Sequence, residues 1–262
     1  MSAGMIFGKI IHLCQDNYGD ITISDDRGVR SLYFHDDILQ SSMRLDAPGM
    51  LIEDYHQAMM SALLFRPAPR KALLIGLGGC SLVHFLMHAF PACSLDIIEI
   101  RQKVIDLAHQ YFFLPAQNTG LRIFCEAGQN FIRRRKVCDP KYDLILVDAF
   151  EDDGPAVPLL ETEFLCTCRK HLAADGIFAI NLWNRPKDNF PAIYRRIQEA
   201  FGNNTLKLLL AEMFRNGIVF GFNDPPLFSD LHAIRAEARR LQGEHAINFR
   251  KYQRYLYWQN FK

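Results

Sequence analysis

The chain has no apolar run near the roughly 20 residues needed to cross a bilayer, and its N-terminus lacks the charged-then-apolar pattern of a secretory leader. Neither a membrane-embedded nor a secreted protein is expected, and the cytoplasm is the expected location. No charge predominates: 30 Lys and Arg stand against 29 Asp and Glu, for a formal net charge of +1. So balanced a chain has no overall field to gather nucleic acid or an anionic membrane. The one dense basic run, Arg133-Arg134-Arg135-Lys136, falls where a helix should end, and the helix dipole favours cations there. Cysteine is sparse and odd in number, seven residues scattered through apolar segments, which predicts reduced, buried thiols. Cys166, Cys168 and His171 do not predict a metal site, because helical positions two apart point to different faces. Internal repeats and low-complexity segments are absent. Apolar residues are abundant, at 49% of 262, enough for one large core.

The organising stretch is 71–100, KALLIGLGGCSLVHFLMHAFPACSLDIIEI. It reads as a buried strand Ala72–Ile75, a turn Gly76-Leu77-Gly78-Gly79, a helix over 81–89, and a second strand ending on Glu99. Glycines at such a turn let the backbone approach a ligand. An acid about 20 residues on, at a strand end, can accept both hydroxyls of a ribose. The competing reading is a tight turn with a surface acid.

Around this unit the pattern alternates. Short β-rich runs at 7–15, 20–25 and 29–35 form an N-terminal appendage, with a hairpin turn at Asp25-Asp26-Arg27-Gly28. The appendage is expected to end near Gln40. A helix follows over 50–64, carrying Tyr55 and His56. After Glu99 come a helix at 103–113, a strand at 122–125, the turn Ala127-Gly128, a helix at 129–135 and an apolar strand at 142–147. A helix at 160–171, a strand at 176–181, a helix at 190–201 and strands at 205–212 and 216–222 complete the core. This predicts an α/β fold of the Rossmann type, with a seven-stranded, mostly parallel sheet whose final strand runs antiparallel. Three regions are expected: a β-rich N-terminal subdomain (1–48), a Rossmann-like catalytic domain (49–228) and a helical, aromatic tail (229–262). The tail is expected to break at Gly243, with Tyr255, Tyr257, Trp258 and Phe261 covering the sheet or a subunit contact.

Ligands of open α/β sheets bind beyond the carboxyl ends of the strands. Asp148 follows the run Leu144-Ile145-Leu146-Val147 and should project into that crevice, although a turn or helix-cap acid would occupy the same place. The loop from Asp148 to Gly154 holds four carboxylates, Asp148, Glu151, Asp152 and Asp153, suited to a cation, either a metal or an alkylammonium. No histidine accompanies them, which disfavours zinc, and magnesium would need phosphates the sequence does not provide for.

With these residues in place the chain resembles the spermidine synthase (polyamine aminopropyltransferase) family, which has a methyltransferase-type Rossmann fold, over about residues 7–222. Asp148-Ala149-Phe150-Glu151 with Gly154-Pro155 matches that family's D-x-x-D-x-x-G-P loop. Glu99 matches its ribose acid, Tyr55-His56 the amine-side pair, and Gln40 the glutamine ending the β-appendage. The resemblance implies transfer of an aminopropyl group from decarboxylated S-adenosylmethionine to an amine, with release of 5′-methylthioadenosine. It makes Asp148 the catalytic acid/base and Tyr55, His56 and Glu151 the amine-binding residues. Gln40, Gly76, Gly78, Gly79, Glu99, Ala127, Gly128, Asp148, Ala149 and Pro155 would then surround the nucleoside. It implies no metal and no cofactor beyond the sulfonium co-substrate. The expected partners are a small-molecule amine, the adenosyl-sulfonium donor and a second copy of the chain, with neither nucleic acid nor membrane.

The chain also departs from the family. The family's glycine turn is G-G-G-D-G, and the Asp that anchors the aminopropyl amine in it is here Gly79. The acid that reads the adenine amino group is Ala127, a glutamine near the first hairpin is Gly19, and a tyrosine before the last strand is missing from Met213-Phe214-Arg215-Asn216. Two other readings therefore stay open: an S-adenosylmethionine-dependent methyltransferase, favoured by the loss at Gly79, and a non-catalytic nucleoside-binding or assembly protein, disfavoured by Asp148.

Overall fold

A computed structural model describes residues 6–35, 38–136, 138–151, 154–185, 188–210, 216–224 and 231–261. The N-terminal strands β1 (Lys9–Asp16), β2 (Gly19–Asp26), β3 (Val29–Phe34) and β4 (Ile38–Arg44) form one antiparallel sheet in that order. Arg27 and Gly28, at φ 47° and 81°, close the β2–β3 hairpin, because a two-residue turn with both φ values positive matches the strand twist. The fourth strand was not expected. Residues 38–44 lack clear alternation, and β4 exists because β3 offers it a partner, with Val29 opposite Arg44. The chain then crosses to α1 (Asp54–Met59), which tightens into a 3₁₀ turn at Met60–Leu64. The predicted helix from Met50 thus begins four residues late, because Leu51 pairs back to Met43.

The core sheet has the order β12-β13-β11-β8-β5-β6-β7. Its strands are β5 (Lys71–Ile75), β6 (Ser94–Glu99), β7 (Leu121–Cys125), β8 (Tyr142–Val147), β11 (Leu172–Trp183), β12 (Thr205–Leu209) and β13 (Asn216–Phe222). Between β8 and β11 a small hairpin pairs β9 (Phe150–Glu151) with β10 (Gly154–Pro155). Strands β11, β8, β5, β6 and β7 are parallel, and β13 runs antiparallel to both β11 and β12. β11 is twice the predicted length because Leu172 re-pairs with Tyr142 across a register shift.

Side chains alternate across the sheet with period two. Ala72, Leu74, Leu144 and Leu146 join a core with α2 (Ser81–Ala89), α3 (Gln102–Tyr111) and the N-terminal sheet. Leu73, Ile75, Ile145 and Val147 join the opposite core with α4 (Gly128–Arg134), α5 (Thr162–His171) and α6 (Phe190–Ala200). Strand order reverses between β5 and β8, so the crevice opens at their carboxyl ends. The basic run ends α4 as predicted, and Arg134 bonds Glu126 at 2.5 Å. All seven cysteines are free, but only Cys80, Cys93 and Cys168 are buried as expected, while Cys125 and Cys138 are exposed; no group of three His, Cys, Asp or Glu placed to hold a metal occurs among the described residues. Among those residues, no helix is long and apolar enough to cross a membrane.

The tail differs from its expected form. α7 (Leu231–Glu244) runs through Gly243, and α8 (Phe249–Phe261) packs back on it and on β12. The buried face of α8 is Phe249, Tyr252, Gln253 and Leu256, whereas Tyr255, Trp258 and Phe261 are exposed. Of the four aromatics expected to cover the sheet or a subunit contact, Tyr257 packs on the core and the other three face outward. The free edge of β12 is instead closed by two amides. Gln259 exchanges hydrogen bonds with Leu209 N and O at 2.7 and 3.0 Å, and Asn260 does the same with Lys207 at 3.0 and 2.8 Å. A side-chain amide has the donor and acceptor of a peptide group, so these two residues stand in for a further strand.

Candidate active site

The crevice is built from the two strand ends nearest the reversal. Gly76 N donates to Ile98 O, and Asp148 N donates to Ile75 O, both at 2.9 Å. Gly76 sits at φ 97°, and a Cβ there would lie 2.0 Å from Asp148 O. Only glycine permits that approach and that dihedral. Asp148, at the end of the fully buried β8, is held on both oxygens: Asn181 Nδ2 donates to Oδ1 at 2.9 Å, and His56 Nε2 meets Oδ2 at 3.0 Å. Asn216 Nδ2 in turn donates to Asn181 Oδ1 at 2.8 Å. His56 is 3% exposed, and its Nδ1 has no partner among the described residues. Four elements thus converge on one carboxylate, which is far more than a turn or cap acid requires.

Tyr55 lies against the His56 ring at 4.2 Å, and its hydroxyl donates to Gln40 O at 2.7 Å. Burial first, then the nearby Asp148 and Glu53 carboxylates, raise its phenol well above the ordinary value, so it stays protonated. Gln40 turns its own amide to Ile38 O at 3.2 Å. The structure therefore brings Gln40, Tyr55, His56 and Asp148 together. Glu151 lies exposed on β9 beside Phe150, which stacks on Trp183 at 5.2 Å, while Ala149 O accepts from Ala156 N at 3.1 Å. Pro155 closes the small hairpin opposite Phe150. Asp152 and Asp153 lie outside the described residues, as do Met213, Phe214 and Arg215.

At the neighbouring strand end, Glu99 closes β6 with 8% exposure. Leu77 N, inside the glycine turn, donates to its Oε2 at 3.0 Å, and Arg101 N donates to Oε1 at 2.9 Å. Burial raises its pKa, opposed by these backbone N–H groups and by Arg101. Each carboxylate oxygen keeps a further lone pair for a hydroxyl. Ala127 caps α4, and Gly128 begins it because a Cβ would meet Ile75 Cγ2 at 2.6 Å.

Both glycines that stand where the family has a longer side chain have that space filled by neighbours. A Cβ on Gly79 would stand 2.6 Å from Ser41 Oγ and 2.9 Å from Phe112 Cε1, and Gly79 N donates to that Ser41 Oγ at 2.6 Å. A Cβ on Gly19, at φ 104°, would meet the His35 ring at 2.2 Å. The next residue of the turn, Cys80, takes the left-handed conformation at φ 64°, and burial raises its thiol pKa. Sequence reasoning missed Asn181, Asn216, Ser41 and Phe112. Asn181 did leave a signal, a lone amide within the apolar run Ile177–Leu182, where a buried polar residue implies a specific partner. Ser41 and Phe112 leave none.

The family model described as the spermine/spermidine synthase domain matches residues 53–190. A protein named polyamine aminopropyltransferase, from Neisseria meningitidis, is 31% identical over 238 residues, covering 90% of this chain and 89% of its own. Among solved structures, a probable spermidine synthase from Corynebacterium glutamicum superposes with a TM-score of 0.74 at 16% identity, covering 95% and 94% of the two chains. Human methyltransferase-like protein 13 in complex with SAH gives a TM-score of 0.66 at 23% identity, covering 74% of this chain and 92% of its own. At these identities the structural likenesses speak to fold alone.

Proposed function

The chain belongs to the spermine/spermidine synthase family, and from that premise we propose that it is a polyamine aminopropyltransferase. Its reaction transfers an aminopropyl group from decarboxylated S-adenosylmethionine to a small-molecule amine. The amine nitrogen attacks the methylene next to the sulfonium, the C–N bond forms as the C–S bond breaks, and methylthioadenosine leaves with the sulfur electron pair. The attacking nitrogen starts as an ammonium, with a pKa of roughly 10 by analogy with lysine, so it needs a group to orient it and take its proton.

The observation that carries this reading is the fixed Asp148 carboxylate, held on opposite oxygens by Asn181 and His56. Asp148 receives the proton. His56 and Tyr55 line the amine channel, and the exposed Glu151 takes the far ammonium. Glu99 accepts the ribose hydroxyls beside the Gly76–Gly79 turn, with Gln40, Ala127, Gly128, Ala149 and Pro155 around the nucleoside. The enzyme acts as a cytoplasmic homodimer and needs no metal or further cofactor.

Gly79 favours a qualification about substrate. With Ser41 and Phe112 filling the place of an acid, the donor's own amine has no ionic partner there, nor has the adenine amino group at Ala127. Putrescine turnover is therefore weak, and another amine or donor is preferred. A transfer assay across diamines and polyamines, with decarboxylated S-adenosylmethionine and S-adenosylmethionine compared, tests this; spermidine formation at ordinary enzymatic rates would contradict it.

The mechanism itself is tested by Asp148→Asn, which keeps the shape and one acceptor oxygen but removes the charge and the capacity to take a proton. Single-turnover rates should fall about 10²–10⁴-fold, with nucleoside affinity little changed. A destabilised but fully active variant would reject Asp148 as the base.

A further inference from the structure

The tail helices carry a cluster of charge that the transfer reaction does not use. Residues 231–261 contain six Arg and Lys against two Glu, in a chain whose net charge is only +1. Four of these arginines face one another: Arg235 and Arg239, one helical turn apart on α7, and Arg250 and Arg254, one turn apart on α8. With Gln253 and Trp258 they line a pocket of about 410 Å³, along with Tyr257. That volume lies within the range of small-molecule sites, about 300–1,000 Å³. Among the described residues no carboxylate lines it. The two glutamates of α7, Glu237 and Glu244, both bond Arg240 instead, at 2.5 Å each. α8 has no acid, and its Lys251 is taken by Asp54 at 2.7 Å. Among the described residues none of the four facing guanidiniums has an ion-pair partner.

Like charges spaced i,i+4 destabilise a helix, and here two such pairs oppose each other across one cavity. A polyvalent anion would reverse that repulsion, and the planar fork of arginine suits phosphate oxygens two at a time. Two further groups add selectivity beyond charge. Gln253 is 5% exposed, yet its amide makes no hydrogen bond among the described residues, so both a donor and an acceptor face the pocket. Trp258 is 56% exposed at the rim and offers a large ring face, on which a nucleobase can stack.

We propose that the α7–α8 pocket is a binding site for a small polyvalent phosphate, the triphosphate of a nucleotide, separate from the crevice at Glu99 and Asp148. α8 is also bonded to the start of α1. Tyr252, beside Gln253, donates to Asp54 Oδ1 at 2.5 Å, and Asp54 begins the helix that carries Tyr55 and His56.

The test is calorimetric titration of the full chain with ATP, with methylthioadenosine present in excess to occupy the nucleoside crevice. One ATP per chain is expected, with affinity falling as salt rises. Arg239→Ala and Arg254→Gln should each weaken it at least tenfold at unchanged melting temperature, since both side chains are exposed. Arg240→Ala, whose side chain is engaged by the two glutamates, should leave it intact. Inorganic triphosphate serves as the second probe. Weaker binding than ATP, with the difference abolished by Trp258→Ala, supports a nucleotide, whereas equal binding indifferent to Trp258→Ala overturns the nucleotide and leaves inorganic triphosphate as the source. The site itself is overturned if neither probe binds, if the arginine variants bind ATP like the parent, or if a single-stranded oligonucleotide is preferred at equal phosphate concentration. None of these results touches the transfer chemistry, which is read from Asp148→Asn.

Discussion

Gly79→Asp puts back the acid that the family motif carries at this position, and the structure forecasts that the chain will reject it. The new Cβ would lie 2.6 Å from Ser41 Oγ and 2.9 and 3.1 Å from two carbons of the Phe112 ring. Real Cβ atoms do not approach neighbours so closely, so one side must move. Phe112 is 1% exposed, and its own carbonyl is bonded by His84 Nε2 at 2.6 Å, which restrains its backbone. Ser41 is tied to Gly79 N. Overpacking of this kind costs about 1–3 kcal/mol. For a chain of this size each kcal/mol shifts Tm by about 2–4 °C, so a drop of roughly 2–12 °C is expected by differential scanning. If the ring is the obstacle, Phe112→Leu should relieve the clash, and the double mutant should be more stable than the sum of the two single effects by more than about 0.5 kcal/mol, the limit expected of independent sites. In that double mutant the new carboxylate also has room to meet the donor's ammonium, and KM for decarboxylated S-adenosylmethionine should fall. An unchanged Tm for Gly79→Asp, or strict additivity with Phe112→Leu, would refute the steric account.

Two further outcomes follow from the geometry. Burial raises the pKa of Glu99, so its ionisation opposes folding, and its contribution to stability declines as pH rises from the ordinary glutamate value of about 4.3 through the raised folded value. Ribose binding needs the ionised form, so methylthioadenosine affinity should rise over that same window. Calorimetry across the acid range checks this, and an affinity already constant from pH ~4.3 upward would remove Glu99 from the ribose contact. At the edge of the sheet, replacing both Gln259 and Asn260 with Ala removes four hydrogen bonds to β12, each contributing about 0.5–1.5 kcal/mol. A lower Tm and greater light scattering on warming are expected from the unpaired edge, and a variant as stable and as soluble as the parent would show that the amides are dispensable.

Part of the candidate site is legible in the sequence. Gly76, Glu99 and Asp148 each sit at the end of an apolar run, whereas the closeness of Tyr55 to Gln40 appears only in the structure. What brings His56 to Asp148, 92 residues away, is the packing of α1 against β11 and β13. The fourth strand of the N-terminal sheet, the two partners of Gly79 and the amide cover on β12 left no trace in periodicity, because each depends on a neighbour distant in sequence. Which face of the tail turns inward is hidden in the sequence for a related reason. Its aromatics were plain, but with Phe249, Tyr252 and Leu256 turned inward, Tyr255, Trp258 and Phe261 fall on the outer side of the same helix.

The sequence by itself determined most of the elements, the seven strands of the core sheet and its mostly parallel sense. Alternation with period two, apolar helical stripes and glycine at a forced dihedral are local properties, and they act before any distant contact forms. Tertiary structure decided which chemistry those elements expose. Whether position 79 can hold an acid depends on Phe112 and Ser41, which approach it from α3 and β4. Whether Asp148 is a turn acid or a fixed base depends on Asn181, Asn216 and His56. Whether four arginines are surface charge or a pocket depends on the antiparallel packing of α7 and α8. Each of these is a contact between side chains far apart in the chain, set by how the layers close on one another.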